Sequence, residues 1–330
     1  MFSLAPRHHY PLGPVLSSLG LAWFVVACQS GQTITLGRGL GGEGGDGDLL
    51  PSIQVTASNP SIVTELSDPE KDDNPTLTAD ELEICLTSKR EGGLGGSDIW
   101  CARRATRESP FGPLNSITLL STEGFDTSPA LALDGLSLWF GSRPDEENED
   151  EDENESNIDI FESTRSTRDD AWSEPRRISE LSSELDDIPR PVAMNDTVMP
   201  LGSRRNGNGY QTYLSERNTP DTPFAQPTAI EELVFDDIEI VDAFLTEDGK
   251  LLVFSRVDEG EDNPGELYYA YRETLSLPFS APQELSGANS DEDDRDPWLS
   301  IDGKRLYFSS NRGGDFEIYM ADIEITAREQ

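Results

Sequence analysis

Short runs of alternating apolar and polar residues fill most of the chain. The clearest lie in residues 296–322, which read DPWLSIDGKRLYFSSNRGGDFEIYMAD. Apolar stretches such as Leu306-Tyr307-Phe308 are separated by Asp-Gly and Asn-Arg-Gly-Gly turns. Alternation with a period of two, interrupted by Gly, Asn and Asp, is typical of short β-strands, and the longer period of a helix is not visible. The pattern therefore predicts an all-β fold.

The same pattern occurs five times along the chain. Each copy has three strand-like runs, and a segment with an aromatic residue, a proline and a short apolar run separates one copy from the next. Corresponding positions are Pro75, Pro129, Pro189, Ala243 and Pro297. They lie about 54 residues apart, with one longer interval of about 60, and a fixed period of this length is typical of propellers and solenoids. Four predicted strands per copy favour a five-bladed β-propeller of four-stranded blades.

The two ends of the repeat region predict how the ring closes. No fourth-strand pattern follows the fifth copy. Before the first copy lies NPSIVTELSDPEKDD, residues 59–73, which resembles the fourth-strand segment at 175–187. An N-terminal strand that completes the last blade would remove the open edges of the array. We therefore expect Ile62–Leu66 to pair with the blade of residues 296–325.

The most regular copy also carries a family resemblance. Residues 299–321, LSIDGKRLYFSSNRGGDFEIYMA, resemble the WD-like propeller repeat of the TolB type, which is found in many bacterial envelope proteins. The resemblance extends over residues 59–325 and is weakest in the third and fourth copies. The third lacks the Asp-Gly turn, having Asn195-Asp196, and Pro200 lies in its second strand, so we expect a less regular blade there. TolB has six such blades and a further domain, and the repeat alone implies no TolB partner.

The N-terminal residues have the pattern of an export signal. A short positive region with Arg7 precedes the apolar segment VLSSLGLAWFVVA, which is of signal-peptide length and short for a membrane span. The following VVAC, ending at Cys28, resembles a bacterial lipobox. The resemblance implies a lipidated Cys28, and several acyl chains together give stable membrane anchoring. The alternative is an ordinary signal peptide followed by a chance cysteine.

These features divide the chain into three parts. Residues 1–27 are the predicted lipoprotein signal peptide, 28–52 a Gly-rich tether, and 53–330 the propeller. We expect an exported protein that contacts a membrane only through its lipid anchor, in the bacterial cell envelope at the outer membrane, on its periplasmic or surface face. Cleavage removes His8 and His9, the two histidines of the chain, and with them histidine-based catalysis and metal ligation.

The charge of the chain excludes one class of partner. It has 64 Asp and Glu residues against 25 Lys and Arg, a formal net charge of −39. This charge repels nucleic-acid phosphates, so we exclude nucleic-acid binding, and it favours cations or basic partners. The insertion PDEENEDEDENESN, residues 144–157, lengthens the second copy. It is interpreted as a solvated loop, with an electrostatic binding segment for a cationic partner as the alternative.

Carboxylates recur just before the inner strand of each copy. Loops from outer to inner strands lie on one face of a propeller, so these carboxylates would surround one mouth of the central channel. Such a ring needs solvent, arginines or a hard cation such as Ca²⁺. The alternative is that the aspartates cap turns by accepting backbone hydrogen bonds. The candidate rim for a cation or partner consists of Asp72, Asp73, Asp126, Asp187, Asp242, Asp294 and Asp296.

Two further sets of residues are expected to be structural. One arginine follows the second strand of each copy and is expected to pair with the acid that opens the third strand, such as Asp98, Asp159 or Glu317. These arginines are Arg90, Arg143, Arg204, Arg256 and Arg312. Cys85 and Cys101 lie on adjacent predicted strands of the first copy. In an oxidising compartment they can form a disulfide, and two buried free thiols are the alternative.

The sequence favours binding over catalysis. Its carboxylates fall at repeating positions, whereas a catalytic pair should break the repeat in one or two copies. We therefore expect a non-enzymatic envelope lipoprotein whose propeller presents an acidic face to a protein, peptide or glycan. The alternative is a carbohydrate-active enzyme, because five-bladed propellers include glycosidases that use a carboxylate pair and need no histidine. An enzyme should have a deep cleft with two carboxylates and one raised pKa, and a scaffold a shallow acidic funnel.

Overall fold

The computed structural model describes residues 52–143, 157–207, 209–258 and 263–328. In these ranges the chain forms five antiparallel sheets of four strands each, with single helical turns at Thr118–Leu120 and Glu231–Leu233. The predicted all-β, five-bladed propeller of four-stranded blades is confirmed. Within the part of the chain that the structure describes, no helical segment reaches the length and hydropathy of a membrane span.

Four blades follow β1 (Ile53–Ile62), each in the order inner, second, third and outer strand. The first has β2 (Asp72–Leu77), β3 (Glu83–Ser88), β4 (Asp98–Arg103) and β5 (Asn115–Ser116). The second has β6 (Phe125–Leu131), β7 (Ser137–Arg143), β8 (Asp159–Thr164) and β9 (Arg176–Arg177). The third has β10 (Asp187–Pro189), β11 (Val198–Ser203), β12 (Gln211–Glu216) and β13 (Thr228–Ala229). The fourth has β14 (Ile238–Leu245), β15 (Leu251–Asp258), β16 (Glu266–Tyr271) and β17 (Gln283–Glu284).

The fifth blade combines the two ends of the described chain. It contains β18 (Asp294–Leu299), β19 (Arg305–Ser310) and β20 (Glu317–Ala327), with β1 as its outer strand. An N-terminal strand therefore closes the ring, as expected. This strand also reaches the fourth blade, because Ala57 N donates a hydrogen bond to Ser286 O at 2.8 Å. Closure removes the free edge that β20 would otherwise expose along its length.

The position of the closing strand corrects the sequence prediction. The expected segment was Ile62–Leu66, whereas the paired residues are Ile53–Ile62. Val55 and Ala57 alternate toward the core and are buried, as the pleat of a strand requires. Residues 63–66 instead form a turn, in which Leu66 N donates a hydrogen bond to the carbonyl of residue 63 at 2.9 Å. The apolar spacing in this segment therefore belongs to a turn that buries Leu66.

The core is formed where neighbouring blades meet. Trp298 of β18 contacts Phe244 of β14 and Tyr307 of β19, with ring centroids 5.9 Å apart in both pairs. All three side chains are buried. Edge-to-face aromatic pairs of this kind each stabilise a fold by about 0.5–1.5 kcal/mol beyond the area that they bury. The Phe244–Trp298 pair therefore joins the fourth blade to the fifth.

The third blade is irregular, in agreement with its sequence. Its inner strand β10 has three residues, and the turn that follows has positive φ at Met194 (56°), Asn195 (55°) and Asp196 (59°). Pro200 lies within β11, and its carbonyl accepts a hydrogen bond from Arg190 N at 3.0 Å. The inner strand thus ends at Pro189, and the backbone bond of Arg190 to Pro200 continues its register by one residue.

Cys85 and Cys101 lie opposite each other on β3 and β4 and form a disulfide. Other predicted features lie outside the described residues. These are the signal peptide 1–27, Cys28 with the tether as far as residue 51, and the acidic insertion as far as residue 156.

Val55→Asp should test the closing role of β1. The substitution places a charge at a buried position of the strand, so we expect the free energy of unfolding to fall by about 3 kcal/mol or more. Gln54→Asp, at the exposed neighbouring position, is the control and should change it by less than about 0.5 kcal/mol. Urea unfolding followed by tryptophan fluorescence measures both. Equally small effects would show that β1 is dispensable.

Candidate functional site

Four inner strands share an irregularity at the central channel. In β2, β6, β14 and β18 the pairing with the second strand shifts at one place. A residue at this place has a positive φ: Asn74 (55°), Ser128 (50°), Asp242 (59°) or Asp296 (54°). Asn and Asp tolerate left-handed backbone better than most residues. Because a bulge re-aims side chains, these polar groups contact residues of other blades.

The third blade contributes to the channel in a different way. One residue fewer separates Asp187 from Pro189 than Asp72 from Pro75, and β10 pairs with β11 without a shift in register. The next residue, Arg190, extends its side chain to three other blades. Its Nη1 donates a hydrogen bond to Asn74 Oδ1 at 2.7 Å. The same nitrogen lies 3.4 Å from Asp242 Oδ1 and 3.5 Å from Asp296 Oδ1. One guanidinium therefore bridges the first, third, fourth and fifth blades.

Asn74 connects the second blade to this network. Ser128 Oγ donates to Asn74 Oδ1 at 3.1 Å. The backbone N–H of Asn74 donates to Asp296 Oδ2 at 3.3 Å. We name Asn74, Ser128, Arg190, Asp242 and Asp296 the channel cluster. Its hydrogen bonds and ion pairs join all five blades.

The channel cluster is buried and contains two carboxylates for one cation. Arg190 is 2% exposed, Asp296 5% and Asp242 7%. Burial raises the pKa of Asp296 to about 6, and the nearby charge of Asp242 adds to the shift while Arg190 opposes it. The Nε of Arg190 is buried without a hydrogen-bond partner among the described residues. The cluster therefore sets one buried guanidinium against two buried carboxylates at the channel.

The seven predicted rim residues separate into two groups. Asp242 and Asp296 belong to the channel cluster, and Asp73 lies beside it in an ion pair with Lys71. Burial raises the pKa of Asp73 as well. The other four occupy equivalent positions at the start of inner strands and are 0% exposed: Asp72, Asp126, Asp187 and Asp294.

The four buried aspartates bind backbone and side-chain donors of their own blades. Thr122 N donates to Asp126 Oδ2 and Ser290 N donates to Asp294 Oδ2, each at 2.6 Å. These contacts cap the loop that leads into the inner strand. Asp72, Asp126, Asp187 and Asp294 are thus placed as structural residues, and their carboxylates do not line an open mouth.

Three of these aspartates are paired with an arginine from the end of the second strand. The pairs are Arg90–Asp72, Arg205–Asp187 and Arg312–Asp294. The expected partners were the acids that open the third strand, so the partner differs from the expectation. The reason is the Ser-x-Arg spacing: Arg90 Nε also donates to Ser88 Oγ at 2.8 Å, which turns the guanidinium toward the inner strand.

The remaining predicted arginines lie elsewhere. In the third blade the paired residue is Arg205, one position after the predicted Arg204, because it is Arg205 that follows Ser203 at the required spacing. Arg143, Arg204 and Arg256 instead lie over aromatic rings. Those rings are Phe125 at 4.5 Å, Tyr210 at 5.5 Å and Tyr268 at 5.2 Å, respectively.

A second set of arginines was missed by the sequence reasoning. Each stands just after a third strand and stacks on the aromatic residue of the following loop. The pairs are Arg104–Phe111 at 4.3 Å, Arg165–Trp172 at 4.2 Å, Arg217–Phe224 at 4.3 Å and Arg272–Phe279 at 4.4 Å. The same sequence interval separates the two members of every pair, and this regularity was the available signal.

Other carboxylates remain exposed around the channel mouth. They lie on the loops from outer to inner strands, which the alternating strand directions place on one face of the propeller. We name them the loop carboxylates: Glu70, Glu123, Glu184, Asp236, Asp237, Asp291 and Glu292. All five blades contribute at least one. The face is therefore acidic, but through different residues from those predicted.

A small cavity opens on this face between the first two blades. It has a volume of 210 Å³, and its charged lining residues are Lys71, Asp73, Lys89 and Arg143. Asp242 and Asp296 do not line it. Within the described ranges, no group of three or more His, Cys, Asp or Glu side chains is arranged to hold a metal ion. Binding of Ca²⁺ stays a prediction.

Comparison with known proteins supports the fold alone. No protein-family model and no curated protein matches the chain. An α-L-arabinofuranosidase from Lactobacillus brevis is 11% identical with a TM-score of 0.53, over 80% of this chain and 94% of that chain. The catalytic domain of a GH62 α-L-arabinofuranosidase from Coprinopsis cinerea is 13% identical with a TM-score of 0.51, over 83% and 98%.

The structural neighbours also include TolB proteins. TolB from Acinetobacter baumannii is 17% identical with a TM-score of 0.49, and the match covers 79% of this chain. The chain spans 56% of the length of that TolB. At these identities the likeness to the two arabinofuranosidases shows a shared fold alone.

Asp296→Asn should change how stability depends on pH. The folded pKa of Asp296, about 6, lies above the ordinary value of 3.8, so the folded protein holds this proton more tightly than the unfolded chain. The protonated Asp296 carboxyl stabilises the folded state fully below the unfolded pKa, and this stabilisation is lost as the pH rises through about 6. The free energy of unfolding of the variant, relative to that of wild type, should therefore increase by about 2 kcal/mol as the pH rises from about 4.5 to 8.

Urea unfolding at both pH values provides this comparison. Asp236→Asn, at an exposed loop carboxylate, is the control and should show no such gain. A difference between Asp296→Asn and wild type that stays constant with pH would contradict the raised pKa.

Proposed function

We propose that this protein is a non-enzymatic binding scaffold of the bacterial cell envelope. In this proposal a lipid-anchored propeller binds a protein, peptide or glycan through the face that carries the loop carboxylates. One observation carries the proposal. Asp242 and Asp296 converge on the channel, but both contact Arg190 and are buried, whereas the loop carboxylates are exposed. The carboxylates that a partner could reach are therefore the exposed loop carboxylates, which form a ring of surface charge.

Surface charge of this kind acts mainly on recognition. Carboxylates distributed over five blades attract a basic partner and increase its rate of encounter. The formal net charge of −39 adds to this attraction. We expect the partner to present Lys and Arg residues or another cationic surface, and its binding to weaken as salt screens the charges.

Export and lipid anchoring at Cys28 are part of the proposal. The lipobox-like VVAC supports them, and so does the Gly-rich segment that precedes the propeller. The Cys85–Cys101 disulfide is also consistent, because disulfides persist mainly in oxidising compartments. The described chain begins on the face opposite the loop carboxylates, where Ile53 lines a cavity. An anchor upstream of residue 52 would leave the acidic face free for a partner.

Glycoside hydrolysis is a second candidate. A pair of carboxylates with one raised pKa is what such a reaction requires, and the pKa of Asp296 is raised to about 6 beside Asp242. The arabinofuranosidases with the same propeller architecture make the fold compatible with this chemistry. The contact of both carboxylates with Arg190 and their burial favour the scaffold.

A comparison of two charge-neutralised variants tests the proposal. One variant combines Glu123→Gln, Glu184→Gln, Asp236→Asn and Asp237→Asn among the loop carboxylates. Its control removes the same number of charges from exposed residues in the loops between third and outer strands, on the opposite face: Glu108→Gln, Glu174→Gln, Asp221→Asn and Glu273→Gln. We expect the first variant to lose the partner that the wild-type protein captures from envelope extract, and the control to retain it.

The outcomes separate the candidates. Equal loss in both variants would show that only net charge matters and would contradict a specific face. Release of sugar from an arabinofuranose-containing polysaccharide, lost in Asp242→Asn and in Asp296→Asn, would favour the hydrolase instead.

A further inference from the structure

The small cavity between the first and second blades has a basic lining on an otherwise acidic face. Its volume is 210 Å³, and three of the four charged residues that line it are cations: Lys71, Lys89 and Arg143. The fourth, Asp73, forms an ion pair with Lys71. Lys89 and Arg143 are therefore an excess of positive charge in a chain whose formal net charge is −39.

Lys89 and Arg143 both lie against the ring of Phe125, which also lines the cavity. Lys89 Nζ is 5.8 Å and Arg143 Cζ is 4.5 Å from the ring centre. Lys89 is exposed, and Arg143 and Phe125 are partly exposed, so a ligand can reach them. Within the described ranges, neither cation forms an ion pair with a carboxylate. Their N–H donors are therefore available to an anion.

Other blades have an acid at the position of Phe125. This residue stands at the start of its inner strand, opposite the end of the second strand. The acids at the corresponding positions of the third, fourth and fifth blades are Asp186, Glu239 and Asp293. The second blade therefore breaks the repeat by replacing a carboxylate with a phenyl ring.

The three acids make the same contact. Each carboxylate accepts a hydrogen bond from the backbone N–H that directly precedes the third strand of the previous blade. The bonds are Ile158 N to Asp186 at 2.9 Å, Tyr210 N to Glu239 at 3.0 Å and Gly265 N to Asp293 at 2.7 Å. Two of the acids also face an arginine, in the pairs Arg204–Asp186 and Arg295–Asp293. A carboxylate is thus the usual occupant of this place between blades.

The boundary between the first and second blades lacks this carboxylate. The corresponding N–H belongs to Ser97, which forms a bridge with Phe125, and a phenyl ring has no oxygen that accepts a hydrogen bond. Ser97 and Phe125 both line the cavity. The cavity therefore lies where three other boundaries hold a carboxylate, and it retains cations without one.

The rest of the lining fits a small molecule with a short body. Thr127 Oγ1 has only long contacts, 3.5 Å to Thr87 Oγ1 and 3.4 Å to Ser128 Oγ, so its hydroxyl can donate to a ligand. Phe125 and Ile158 form the apolar part of the lining. The volume is below the range of about 300–1,000 Å³ that is usual for pockets that bind drug-sized molecules.

We propose that this cavity binds the carboxylate group of a small organic acid. The carboxylate accepts charge-assisted hydrogen bonds from Lys89 and from the guanidinium group of Arg143, and the body of the ligand contacts Phe125 and Ile158. The proposal does not rest on the scaffold function, because this cavity takes an anion whereas the loop carboxylates attract a cationic partner.

Titration of the full-length protein with three probes, followed by ligand-observed NMR at fixed ionic strength, tests the proposal. Benzoate and benzamide have the same ring and differ in charge, and inorganic phosphate is an anion without an organic body. We expect benzoate to bind at least about tenfold more tightly than benzamide, and phosphate to bind more weakly than benzoate. The net charge of −39 opposes the binding of any anion, so this preference would require a local basic site.

Two substitutions assign the binding to the cavity. Arg143→Met should weaken benzoate binding at least about tenfold, and Lys89→Met at least about threefold, with benzamide unchanged. Arg204→Met is the matched control, because Arg204 occupies the equivalent position of the third blade and is paired with Asp186. Lys304→Met, at an exposed position outside the cavity, is the control for lysine. Neither control should change benzoate binding, and circular dichroism checks that each variant is folded.

A third substitution supplies the missing carboxylate from the chain itself. Phe125→Asp gives the second blade the acid that the third and fifth blades have, so it should abolish benzoate binding. Phe125→Asn has the same shape without the charge and should retain more of the binding than Phe125→Asp. The same NMR titration measures both.

Four results would overturn the proposal. They are an absence of benzoate binding at millimolar concentration, equal affinity for benzoate and benzamide, tighter binding of phosphate than of benzoate, and unchanged benzoate affinity in folded Arg143→Met.

Discussion

The guanidinium group of Arg190 holds the five blades together at the channel. It contacts Asn74, Asp242 and Asp296, and Asn74 in turn contacts Ser128, so each inner strand is linked to the others. A buried cation is tolerated only where opposite charges and hydrogen bonds replace its water. The two aspartates supply that charge, and Arg190 in turn limits their mutual repulsion. Asp242 and Asp296 are therefore bound to Arg190 within the framework of the propeller.

Ring closure is the second constraint, and it works with the channel cluster. Backbone pairing of β1 with β20 satisfies the outer edge of the last blade, while the cluster joins the inner edges. Buried aspartate–arginine pairs and stacked arginines then repeat from blade to blade between these limits. For the proposed scaffold, a framework joined at its axis and its rim would lower the entropy cost of binding, since little would have to be ordered when a partner binds.

The sequence predicts most of the architecture and little of the candidate site. Alternation and the repeat were enough for the fold, the blade number and the N-terminal closure, because these depend on which positions recur. The recurring positions do not predict the direction in which a side chain points. Asp72 and Asp296 both lie in an inner strand, yet the first pairs with Arg90 of its own blade and the second reaches the channel from a bulge. The role of Arg190 was also hidden, because it occurs in one blade and its partners are distant in sequence.

A stability cycle on the channel cluster tests this account most directly. Arg190→Met alone should lower the free energy of unfolding by about 3–5 kcal/mol, because it leaves Asp242 and Asp296 buried without their cation. Combining Arg190→Met with Asp242→Asn and Asp296→Asn should recover most of that loss, since the carboxylates that needed the cation are then neutral. A near-neutral Arg190→Met, or a combined variant whose loss is the sum of the separate losses, would contradict the claim that this ion cluster is the structural centre of the propeller.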